Sequence, residues 1–127
     1  MAKFAGRWRS DRHNLTLDVS RCGDGWCGVK VAADRTCGGI ALRLNALEQG
    51  DGHARLEGQL ELAPGSEPYR VQATLFRKDD GLLDLTVHGN TGPEFQAWRR
   101  TFPFQAVFAR VSDAACPPNA KVSGLRG

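Results

Sequence analysis

Leu15-Thr16-Leu17-Asp18-Val19 alternates apolar and polar residues, and Val29-Lys30-Val31 takes up the same alternation on the far side of Arg21-Cys22-Gly23-Asp24-Gly25-Trp26-Cys27-Gly28. Period-two patterning on both sides of a Gly-Asp-Gly turn predicts a β-hairpin, with Cys22 and Cys27 facing each other across its mouth. The same period recurs along the chain. A short first strand is expected up to Ser10, with Trp8 pointing inward. Ile40, Leu42 and Leu44 alternate with Ala41, Arg43 and Asn45. Leu56, Gly58, Leu60 and Leu62 then form one face, and Arg55, Glu57, Gln59 and Glu61 the other. After the break at Ala63–Pro68, the runs Tyr69-Val71-Ala73-Leu75, Leu83-Leu85-Val87 and Phe104-Ala106-Phe108 continue the pattern. In each strand the apolar face is expected to line the interior.

One segment breaks the period. Thr91-Gly92-Pro93-Glu94 fits an N-cap threonine, an early proline and a capping-box glutamate. Phe95 and Trp98 follow three apart, and Arg99 and Arg100 suit a helix C-terminus. A short helix near residues 92–100 is therefore expected, lying over a rim. Residues 119–127 carry no apolar pattern and read as a flexible C-terminal tail after a single domain over 1–118. About eight short strands with turns at steady intervals predict an all-β, eight-stranded antiparallel up-and-down barrel. Closure leaves no sheet edge exposed. A β-sandwich is the alternative; an oligonucleotide-binding barrel needs fewer strands.

With 127 residues the chain is long enough for one domain with its own core. No apolar stretch is long enough for a membrane-spanning helix, and no signal peptide is visible after Met1. The four cysteines refine this picture. The Cys22-x4-Cys27 spacing does not match the usual C-x2-C zinc knuckle, and no His-x3-His completes a metal set. Two disulfides are preferred over a metal site or buried thiols. Cys22 pairs locally with Cys27, which leaves Cys37 for Cys116. That pairing favours a periplasmic or secreted protein, read as a mature chain whose leader is absent.

Gly6-x-Trp8, opening the first of eight strands, resembles the lipocalin and calycin group. The resemblance implies a lipocalin-like barrel in which Trp8 closes one end and a basic side chain from the last strand, here Arg110, packs across its ring as a cation–π plug. Adding Cys22-Gly23-x-x-x-Cys27-Gly28 and Phe108-Ala109-Arg110-Val111, the pattern resembles a calycin-like family of small secreted bacterial proteins of unknown function. It departs from that pattern in Phe108, where tryptophan is expected, in the additional Cys37, and in the segment carrying Trp98. The resemblance implies an exported protein and a barrel able to hold an apolar ligand.

Catalysis needs polar groups converging in a cleft. The expected inward faces are apolar, and the chain holds no Gly-x-Ser-x-Gly elbow, phosphate loop or His-Glu-x-x-His. His13, His53 and His88 fall on turns and strand ends as surface residues. The chain is read as a non-enzyme with no cofactor or metal. The leading expectation is a small apolar or amphipathic ligand, with Phe95 and Trp98 covering it and Arg99 and Arg100 meeting an acidic headgroup. The alternative is an envelope protein-interaction or inhibitor module in which the stapled hairpin tip presents Arg21 and Trp26 to a partner. A net charge of +3, with acidic residues interspersed, argues against a nucleic-acid binder. A monomer is expected.

Overall fold

The structure is a computed structural model that describes residues 4–50, 53–61, 68–78, 83–90 and 104–118. Eight strands form one closed barrel: β1 (Gly6–Ser10), β2 (Leu15–Cys22), β3 (Gly25–Val31), β4 (Cys37–Gly50), β5 (His53–Leu60), β6 (Tyr69–Arg77), β7 (Leu83–Asn90) and β8 (Phe104–Ser112). Each pairs antiparallel with the next, and β8 returns to β1. The all-β up-and-down architecture read from the period-two pattern is therefore the observed one. The expected helix near residues 92–100 and the tail at 119–127 lie outside the described residues.

Alternation decides which side chains enter the barrel. Leu15, Leu17 and Val19 of β2, Leu42 and Leu44 of β4, Ala54, Leu56 and Leu60 of β5, and Val71, Ala73 and Leu75 of β6 join one buried core with Trp8 and Phe108. These side chains are almost wholly inaccessible, so the described interior is filled by packing.

Strand β3 departs from the expectation that its apolar face lines the interior. Val19 pairs with Gly28 and Arg21 with Trp26 across β2–β3, which puts Gly28 and Trp26 on the core side. Cys27, Val29 and Val31 consequently face outward. Ile40 faces outward too, because register shifts around Val29 bring Ile40 opposite it. Val29, Val31 and Cys116 form a second, smaller core with Ile40 packed against it. This core lies on the outer wall, beneath the segment that follows β8. A two-faced apolar strand is what a strand covered on both sides requires.

Both expected disulfides form. Cys22–Cys27 closes the β2–β3 hairpin with a Cα separation of 5.8 Å. Cys37–Cys116, 79 residues apart in sequence, ties the C-terminal segment to the start of β4. No free cysteine remains, so no thiolate is left for a metal. Two disulfides are compatible with an extracellular or periplasmic location. Among the described residues, no helix is long and apolar enough to cross a membrane.

Candidate functional site

One end of the barrel is closed by aromatic packing. Phe4 stands edge-on to Trp8 at 5.9 Å and tilts against Trp26 at 4.8 Å between ring centroids. Trp8 is fully buried, and its indole Nε1 donates to the Phe4 carbonyl at 2.9 Å. Arg110 is the cross-strand partner of Trp8. It does not make the expected stack on that indole. Its Nε and Nη2 donate to the Ala5 carbonyl at 3.2 and 2.9 Å, and Nη2 also meets Asp113. The guanidinium occupies the space where a Cβ at residue 6 would stand. Gly6 is needed there to make room for Arg110, which gives the Gly-x-Trp and terminal arginine pattern a steric basis.

The cation–π contact found among the described residues belongs to the hairpin, where Arg21 lies 5.3 Å from the Trp26 ring centre. Trp26 does not project from the tip as the partner-binding expectation required. It is 5% exposed and belongs to the main core. The large ring gains more from the Phe4–Trp8 cluster than from water, and of the two residues expected to meet a partner Arg21 alone is exposed.

A second set of polar groups sits on the outer wall. Asp18, on β2, is fully buried although it points away from the barrel interior. Its cross-strand partner Arg7 donates through Nε and Nη2 at 2.7 and 3.0 Å. The backbone amides of Ala115 and Cys116 donate to its other side at 2.8 and 2.7 Å. Burial opposes the charge, but the Arg7 hydrogen bonds and the two amides outweigh it and hold the carboxyl below its usual range. This latch holds the C-terminal segment over the small outer core. The alternation of β2 puts Asp18 on the outer face, where it does lie, but that face is covered and not open to water. The available signal was a carboxylate inside a mainly apolar strand, two registers from a cysteine-bearing turn.

The end away from the aromatic plug, referred to as the mouth, is marked by Ser10. Ser10 ends β1 on the same face as Trp8, with Leu15 as its partner. It is 1% exposed, and its hydroxyl has no hydrogen-bond partner among the described residues. Leu60 and Tyr69 are paired inward positions at this end. The expected ligand-contacting Phe95, Trp98, Arg99 and Arg100 lie outside the described residues. Of the histidines, His13 Nε2 bonds the Gln105 carbonyl at 2.7 Å, and His53 lies 3.5 Å from Glu48.

The outer wall of β4 to β8 forms an open concavity of about 950 Å³. Register places its side chains in two rows across the strands. Arg43, Gln59 and Arg70 form one row; Asn45, Glu57, Gln72, His88 and Gln105 form the next. Gly58, Val71 and Gly89 also line it. All three alternate inward, so their backbone makes the floor.

No protein-family model matches the chain, and no curated protein matches it closely. Among solved structures, its fold is similar to that of a biotin binding protein from chicken. That likeness has a TM-score of 0.58 at 14% identity and covers 84% of this chain and 94% of the other. At such low identity it speaks for the eight-stranded antiparallel barrel fold alone.

Proposed function

We propose that this protein is a non-enzymatic, exported binding barrel that takes a small apolar or amphipathic ligand at its mouth. The observation that carries the reading is Ser10, whose buried hydroxyl, at the mouth end of an otherwise apolar interior, has no hydrogen-bond partner among the described residues. Leaving such a group unpaired costs about 1–3 kcal/mol, and a polar atom on a ligand would remove that cost. The aromatic plug supports the mouth as the point of access. A fold shared with a biotin binding protein supports the same reading by analogy. In this reading Phe95 and Trp98 cover the apolar part of the ligand, and Arg99 and Arg100 meet its acidic headgroup. The buried polar groups among the described residues are Ser10, Asp18 and the Ser20 hydroxyl; Asp18 is engaged in the wall, and Ser20 alternates to the outer face of β2, away from the interior. No acid–base pair converges there, which favours binding over catalysis.

The test is native mass spectrometry of the full chain purified from an oxidising compartment, with extraction of any bound molecule. A co-purifying amphiphile, or a mass shift with a panel of lipids, biotin and other small cofactors, supports the reading. Ser10→Val should then weaken binding roughly 3- to 10-fold without lowering Tm. A clean apo mass that no member of the panel shifts overturns it. The hairpin-tip alternative has lost its aromatic anchor to the core and is not retained.

A further inference from the structure

The concavity on the β4–β8 wall lies outside the barrel and is independent of the mouth. Its shape begins with two glycines. A Cβ at Gly58 would fall on the Arg43 carbonyl, and one at Gly89 on the Arg70 carbonyl. Without side chains at these inward positions, neighbouring backbone can come close and the wall can dent inward. The dent therefore belongs to the strands themselves, not to a loop.

Its polar groups are uncommitted. Arg70, Gln59, Gln72 and His88 make no side-chain hydrogen bond or ion pair among the described residues. The contact Arg43 makes is a long one, 3.8 Å to the Cys27 sulfur. Two guanidiniums face one carboxylate, Glu57, so the site favours an anion. Arg43 and Arg70 occupy one row with Gln59 between them, two strand spacings or about 10 Å apart at the backbone. Each can take a carboxylate through paired hydrogen bonds. The amides between and beside them can both donate to and accept from hydroxyls.

We propose that this outer concavity binds an extended acidic oligosaccharide, with carboxylates on alternate units held by Arg43 and Arg70 and hydroxyls held by Gln59 and Gln72. An extended pyranoside chain can present acids at such a spacing with hydroxyls between. The described lining has no aromatic platform on which a neutral sugar would stack. A peptide lying in extended form gains its affinity from strand edges, and the closed barrel offers none.

The test is calorimetric titration of the full oxidised protein with oligogalacturonate, with maltohexaose as the neutral control and poly-glutamate as the non-sugar polyanion. Oligogalacturonate should bind and maltohexaose should not. Arg43→Gln and Arg70→Gln should each weaken binding about tenfold. Both residues are exposed, so Tm should not move. Failure to bind, equal binding by the double variant, or equal binding of poly-glutamate would each overturn the proposal. The mouth reading is untouched by any of these results, since Ser10 and its ligand are probed separately.

Discussion

Asp18 carries a charge in a place where burial alone would neutralise it, and four donated hydrogen bonds keep it ionised. Asp18→Asn keeps the shape but removes the charge opposite Arg7, and should cost about 3 kcal/mol by leaving a partly buried guanidinium without its ion. The folded carboxyl titrates below its unfolded value of about 4. The stabilisation is therefore fully present above that pH and is lost as pH falls through the folded pKa. The gap in Tm between wild type and Asp18→Asn should stay constant from neutral pH to about 5 and narrow below 4. A gap that widened on acidification would contradict the latch. Trp26 gives the opposite lesson about exposure. Packed against Phe4 and 5% exposed, it should cost roughly 3–5 kcal/mol on truncation to alanine. Urea titration would measure that loss, and a Trp26→Ala protein as stable as wild type would return the ring to the tip.

Among the elements, the segment after β8 acts as a strap on the outer wall. It is held by Cys37–Cys116 and by Asp18, and it covers Val29, Val31 and Ile40. Opening the long disulfide by Cys37→Ser with Cys116→Ser should cost about 4 kcal/mol through chain entropy, against about 2 for Cys22→Ser with Cys27→Ser. The first loss is compounded as the outer core meets water, so the order of the two Tm values is the quantity to check; the reverse order would show that the strap contributes little. This strap also explains what the sequence could and could not reveal. Strands buried on one face, such as Leu56–Leu60 and Val71–Leu75, announce themselves by alternation, and the barrel follows from them. Strand β3 is apolar on both faces, so its phase is ambiguous until the strap is known to cover Val29 and Val31. Ile40 changes sides through a bulge that no period reveals. The mouth is partly legible, because Ser10 follows Trp8 at the inward period. The outer concavity is not, since Arg43, Gln59 and Arg70 come together only through the register of three strands.

Across the whole molecule, closure is the property that governs association. β1 and β8 pair with each other, so no row of backbone donors and acceptors is left to recruit another sheet. The large apolar side chains that remain exposed are Leu47, Phe76, Val107 and Val111 among the described residues. They lie on three different strands, and isolated exposed apolar residues are normal on a soluble surface. A monomer of 13.8 kDa is therefore expected in sedimentation equilibrium of the oxidised protein. Removing the closing strand should reverse this. A chain ended before Phe104 loses Phe108 from the core, the Arg110 hydrogen bonds to the Ala5 carbonyl and the whole strap, and it exposes β1 and β7 as edges. Such a chain should self-associate even with Cys22–Cys27 intact, because unpaired edges next to an opened apolar interior are templates for pairing. A truncated chain that stayed monomeric and folded would mean that closure is not what keeps this protein single. A full-length dimer would instead point to a contact face on the outer wall, where the rows around Arg43 and Arg70 are the first place to substitute.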